Sequence, residues 1–168
     1  MKILYVIIMM LFLGMMSCSE DNLKGYSSSN YIQFDKLSKD STVFSFAYDE
    51  TLESGTVALK LVMISPLVDR DRKYNVKFLQ DESSAQAGVD FEMPVEEQVI
   101  AANDSVAYLN VTVTRNEALK GSVLAVFEVQ VSGDFMPGIE ANRKGRIFIT
   151  NQLTRPGGGT AWPEAKGI

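Results

Sequence analysis

The chain has 168 residues, with 16 lysines and arginines against 21 aspartates and glutamates, no histidine and a formal net charge of −5. That length accommodates one domain with a substantial core. Its basic residues are scattered and never form a run, which argues against nucleic acid as a partner and against direct electrostatic attraction to an anionic membrane.

The first predicted element is a leader. After Met1-Lys2 the sequence is apolar from Ile3 to Met16, broken only by Gly14. As a helix this run spans roughly 20 Å, too short for a hydrocarbon core of about 30 Å. It therefore reads as a cleaved secretion signal covering residues 1–17. Met15-Met16-Ser17-Cys18 supplies the small residue before cysteine that lipoprotein signal peptidase accepts, although Met15 stands where leucine is more usual. Cys18 is the only cysteine of the chain. It is expected to carry lipid; the alternative is an ordinary signal followed by a chance cysteine. Each buried CH₂ of an acyl chain contributes about 0.8 kcal/mol, so the two or three chains of a lipoprotein anchor hold it firmly. An acylated lone cysteine can form no internal disulfide and is no free nucleophile. Loss of Lys2 with the leader leaves fifteen basic against twenty-one acidic residues, a mature charge of −6.

Residues 18–30 read as the lipidated cysteine and a flexible polar tether with a serine run. From Tyr31 the pattern changes to short alternating stretches. Phe44, Phe46 and Tyr48 fall on one side of Val43–Tyr48, and Val57, Leu59, Leu61 and Met63 on one face of Thr56–Ile64. Tyr74, Val76 and Phe78 alternate with polar residues, as do Ala107, Leu109, Val111 and Val113. Val123, Ala125, Phe127, Val129 and Val131 follow, and Ile147 and Ile149 close the series. Alternation with period two marks half-buried strands, because successive side chains leave a strand on opposite faces. Turn signals separate them at Glu53-Ser54-Gly55, Ala102-Asn103-Asp104, Lys120-Gly121 and Met136-Pro137-Gly138. The predicted fold is all-β, an antiparallel sandwich of about seven to nine strands over residues 31–152, with no helices. Residues 153–168, with Gly157-Gly158-Gly159 and Trp162, read as a flexible tail.

Three sequence features carry resemblances. Ser19-Glu20-Asp21 after the cysteine is similar to the surface-export signal of Bacteroidetes lipoproteins, the alternative being a solvated tether. Tyr31-Ile32-Gln33-Phe34, Phe44-Ser45-Phe46-Ala47-Tyr48, Asp69-Arg70-Asp71-Arg72-Lys73-Tyr74 and Gln152-Leu153-Thr154-Arg155-Pro156 together resemble an uncharacterised Bacteroidetes lipoprotein family with a domain of unknown function, encoded near starch-utilisation-type glycan uptake systems. Its members usually continue past the Pro163 region, so the resemblance leaves both a short form and a lost C-terminal portion open. Ala87-Gly88-Val89-Asp90-Phe91 ahead of two long strands is similar to Calx-beta domains, sandwiches of immunoglobulin type.

Candidate sites are few. Without histidine the chain lacks the commonest general base and metal ligand. Glu96 and Glu97, like Asp81 and Glu82, are neighbours that point to opposite faces if extended, so neither pair can flank one bond. Asp90 and Glu92 could share a face, yet an aspartate beside Gly88 fits a hydrogen-bonding turn role better. Calcium, which some Calx-beta domains hold between acidic loops, has weak candidates in Asp69, Asp71, Asp81, Glu82 and Asp90, with Arg70 and Arg72 supplying counter-charge beside the first two. For glycan, Tyr108 is expected to point outward with Asn110 and Thr112, while the Phe44 stripe reads as core. The Leu124 and Val126 side of its strand either packs under a loop or offers a contact surface, and Asp69–Lys73 reads as a polar rim.

These readings lead to a non-catalytic lipoprotein of the outer membrane or cell surface, without a cofactor. It is anchored through Cys18 and serves as an accessory or scaffolding component among the outer-membrane proteins of a glycan-uptake system. The alternatives are a calcium-binding adhesive or structural domain and a module that binds polysaccharide directly.

Overall fold

The computed structural model describes residues 30–94 and 97–153. The strands are β1 (Tyr31–Phe34), β2 (Thr42–Ser45), β3 (Ser54–Ile64), β4 (Arg72–Lys73), β5 (Asn75–Phe78), β6 (Phe91–Glu92), β7 (Val99–Ile100), β8 (Val106–Thr114), β9 (Ser122–Gln130), β10 (Met136–Pro137) and β11 (Lys144–Thr150). One five-stranded sheet runs β10-β1-β3-β8-β6, a four-stranded sheet runs β2-β11-β9-β5, and β4 pairs with β7. Eleven strands exceed the expected seven to nine because β4, β6, β7 and β10 are only two residues long, below what alternation can reveal.

The long strands follow the sequence pattern. Along β3, Val57, Leu59 and Leu61 are buried, and along β8 so are Ala107, Leu109, Val111 and Val113. β3 and β8 pair antiparallel from Ser54↔Thr114 to Val62↔Val106, so these two inward rows lie side by side. From the other sheet come Ala125, Phe127 and Val129 of β9 and Ile147 and Ile149 of β11. The sheets lock through an aromatic cluster. Phe91 meets Phe127 edge-on at 5.5 Å and 85°, and Phe78 meets Phe91 at 4.8 Å and 62°. This is the arrangement ring quadrupoles favour.

Three expectations need correction. The sandwich is not wholly antiparallel: β1 pairs parallel with β10, and β2 pairs parallel with β11. The N-terminal segment is split between the sheets, β1 in one and β2 in the other, joined by a short helix, α1 (Lys36–Asp40), where no helix was expected. α1 has a local reason. Where β1 leaves β3, the Asp35 N–H donates to the Lys60 carbonyl at 2.9 Å and the Lys60 N–H to Ser38 Oγ at 2.8 Å, so the turn satisfies backbone groups of β3 that would otherwise lack partners.

The strand expected over Val43–Tyr48 ends at Ser45, and Phe46–Tyr48 form a 3₁₀ turn. Ser45 Oγ accepts the Ala47 N–H at 3.2 Å. Arg115 donates to the carbonyls of Phe46, Asp49 and Leu52 while lying 5.0 Å over the Phe46 ring. Phe46 is therefore buried and Tyr48 is turned outward. Val131 lies beyond the end of β9 and is exposed rather than part of its inward row.

Candidate functional site

The acidic candidates are dispersed. Asp90 is buried in the turn ahead of β6, where Gly88 takes φ +81°. One carboxylate oxygen of Asp90 accepts the Gln86 N–H and the other the Asn116 amide, each at 2.8 Å. That carboxylate is committed to joining the turn to the end of β8, the turn role anticipated for it. Glu92, on β6, is exposed, so the two do not share a pocket. Glu82 pairs with Lys144, and Asp81 is exposed on the same 3₁₀ turn. Asp71 accepts the Ala102 N–H at 2.9 Å, and Asp69 is exposed. Among the described residues no three acidic side chains gather as a metal would require. Glu97 pairs with Lys73 at 2.9 Å. Cys18, Glu96 and Trp162 lie outside the described residues.

At one end of the sandwich an unpredicted group ties the loops together. Arg70 donates to the backbone carbonyl of its neighbour Asp71 at 3.1 Å and pairs with the carboxylate of Asp134 at 2.7 Å, and the other Asp134 oxygen accepts the Lys73 N–H at 2.8 Å. The Arg70 guanidinium and the Lys73 amide hold the Asp134 carboxyl below its ordinary range. Arg72 is no rim residue. It is buried and lies 5.0 Å from the Phe135 ring centre. It donates to Ser65 Oγ at 2.8 Å and reaches the carbonyls of Pro66 and Asp104 at 3.4 Å. Its stem and planar head bridge three loops, a structural role. Chain spacing does not reveal this group, since Asp134 is far from Arg70 in sequence.

The two outer faces of the sandwich differ in chemistry. On the four-stranded sheet Lys77, Glu128 and Lys144 form one cross-strand row, with Arg146 beside Val126 in the next. That part of the face is charged, while the next outward row, Val43–Phe148–Leu124, is apolar and largely half-buried. Val126 is itself buried and Leu124 half-buried, which places the apolar side of β9 among packed groups rather than on display.

The five-stranded sheet presents another surface. Its outward rows are Met136–Tyr31–Ile64, then Gln33–Val62–Val106, Lys60–Tyr108, Ala58–Asn110, Thr56–Thr112–Glu92 and Ser54–Thr114. Lys60 and Glu92 are the only charged side chains in these rows. Tyr108 is 52% exposed, and Asn110, Thr112, Thr56 and Ala58 around it are exposed as well. Its outward direction is the one the alternation of β8 predicts. The position is reinforced from within: the Tyr74 hydroxyl, in the core, lies 3.3 Å from the Tyr108 carbonyl and 3.2 Å from Gln98 Oε1, two acceptors for its single proton. Burial pushes the Tyr74 phenol up to about 12. Tyr31, Ile64 and Met136, all exposed, extend the face at the far end of β3, a contribution that appears only once strand pairing is known.

An open cleft also runs beside β5, between Tyr74–Lys77 and the segment containing Met93, Pro94 and Gln98. Several of its polar groups have partners already. Asn75 donates to the Val131 carbonyl, Gln130 to Glu128, and Glu97 is paired with Lys73.

Two stacked sheets of this kind form a β-sandwich whose fold is similar to that of Calx-beta domains. The apo-form Calx CBD1 domain matches with a TM-score of 0.50 at 10% identity, covering 72% of this chain and 96% of that one. A protein from Bacteroides ovatus ATCC 8483, provisionally named a carbohydrate binding protein, matches with a TM-score of 0.54 at 14% identity, covering 73% of this chain and 37% of that one. At these identities the likeness establishes the fold. No curated protein matches the sequence. The chain belongs to the family described as Domain of unknown function (DUF4843), whose model matches residues 25–167.

Proposed function

We propose that this protein is a non-catalytic lipoprotein, anchored through Cys18 at the outer membrane or cell surface, whose sandwich serves as an accessory component of a glycan-uptake system. The observation that carries the reading is the contrast in charge between the two outer faces: one bears Lys77, Glu128, Lys144 and Arg146, whereas the paired rows of the other bear only Lys60 and Glu92 and expose Tyr108. A face depleted of charge and bearing exposed aromatic rings is a surface suited to contact. The carboxylates weighed for chemistry or calcium are apart or already bonded, which favours contact over catalysis. The glycan element rests on the resemblance to lipoproteins encoded beside uptake systems and on the Bacteroides ovatus fold-mate named for carbohydrate binding.

Intact cells grown on different polysaccharides, treated with protease and then used for pull-down of the lipidated protein, test this reading. The expected result is cleavage of the exposed protein by the protease and recovery of uptake-complex proteins with it from untreated cells. A protein that is protected from protease and recovers no uptake component contradicts the proposal. Replacement Cys18→Ser is expected to release the protein from membranes; a variant that stays bound refutes the anchor.

A further inference from the structure

We infer that the outer face of the five-stranded sheet binds an extended, uncharged glycan chain directly, with Tyr108 as its principal contact. This rests on the glycan-uptake reading and assigns it a surface and a ligand class. Tyrosine offers a large, rigid, amphipathic contact at low conformational cost, and short amide and hydroxyl side chains offer adaptable hydrogen bonding. A pyranose ring needs both, because its axial C–H groups make an apolar face while its hydroxyls ring the edge. Tyr108 stands among these partners: Asn110 and Thr112 follow it outward on β8, and Ala58 and Thr56 oppose them on β3. Lys60 is its direct cross-strand partner and Ala58 the small diagonal neighbour, and the Tyr108 ring is left half open to solvent.

Charge selects the ligand class. The chain carries a net −5, yet Lys60 and Glu92 are the only ionisable groups in the outward rows apart from the tyrosines, and their charges cancel. An acidic polysaccharide or nucleic acid would meet no array of cations here. A protein partner would need an apolar centre within a patch of about 800 Å² per side. Tyr108 is instead bordered by Lys60, Ala58, Asn110 and Thr112 on one side and by the half-buried Val62 and Val106 on the other, so no large exposed apolar side chain adjoins its ring. The apolar residues Met136, Tyr31 and Ile64 lie four residues further along β3, about 14 Å away at strand spacing. Tyr31 at that distance gives a second ring for a chain long enough to reach it.

The test is binding of the detergent-solubilised full lipoprotein to a series of neutral oligosaccharides and polysaccharides of increasing length. Tyr108→Ala is expected to weaken binding about tenfold or more, as for a central aromatic contact. Tyr108→Phe should retain most of the affinity, because it keeps the ring. Tyr31→Ala should weaken only the longer chains, and Lys77→Ala, on the opposite face, should change nothing. Wild-type affinity in Tyr108→Ala overturns the inference while leaving the uptake role intact, since glycan would then be held elsewhere. Binding to no neutral glycan, or preference for acidic polymers, also overturns it. So does loss of uptake-complex recovery in Tyr108→Ala without any glycan affinity, which makes the face a protein contact. Failure of the wild-type protein to associate with any uptake component is the separate result that removes the underlying reading.

Discussion

Tyr74 couples the interior of the sandwich to its presented face. Its ring is buried, and its hydroxyl lies 3.3 Å from the backbone carbonyl beneath Tyr108. Burial raises its pKa from 10.0 to about 12, because the charged phenolate is poorly solvated inside. The folded state therefore keeps a proton that the unfolded state loses. The stability Tyr74 contributes is intact below pH 10 and falls as pH rises from about 10 toward 12. The difference between phenolate absorbance titrations of the wild type and Tyr74→Phe should show one step near pH 12; a step near 10 contradicts the buried donor. Tyr108 was legible from the sequence because alternation alone sets its direction. Arg72 was not, since a charged residue between two aspartates reads as solvated until Phe135, Ser65 and the loop carbonyls are seen around it. Asp134, the partner of Arg70, becomes visible only when two distant loops meet.

At the scale of elements, the long strands β3, β8, β9 and β11 were readable because hydrophobic alternation and burial coincide along them. The segment after Val43 was misread for a specific reason. Phe44, Phe46 and Tyr48 have strand spacing, but a side-chain cap from Ser45 and the Arg115 latch on the following carbonyls coil the chain after the first of the three aromatics. The same corner supplies a test of how tightly the sheets meet. Gly55 of β3 faces the Phe44 ring, itself 4.9 Å from Phe46, and an added methyl group there would overlap Phe44. Gly55→Ala should destabilise the domain by about 1–3 kcal/mol, through overpacking. Thermal melting reads this directly, and an unchanged midpoint would show that Phe44 moves aside freely. The split first strand and α1 had no signature in the sequence. They arise because β1 is only four residues long and leaves part of the β3 edge for Ser38 and Asp35 to satisfy.

At the scale of the molecule, the proposed anchor at Cys18 is read from the sequence, and the structure distinguishes one face of the domain from the other. Cys18 accounts for the only thiol, and the absence of histidine leaves little conventional catalytic chemistry. Of the carboxylates that were candidates for metal or acid–base work, Asp71 and Asp90 are turn ties, Glu82 and Glu97 are in ion pairs, and Asp69, Asp81 and Glu92 are exposed. The proposed function is therefore one of contact, and it is placed on the tyrosine face, where Lys60 and Glu92 are the only charged side chains of the paired outward rows. The most direct measurement follows a labelled neutral polysaccharide on washed cells bearing the wild-type lipoprotein, the Tyr108→Ala variant or no copy of the protein, with the chain length of the recovered polysaccharide determined. The account predicts retention by wild-type cells, weaker retention by the variant and the deletion, and polysaccharide recovered at its original length. Equal retention by all three strains, or shortening that depends on this protein, would contradict it.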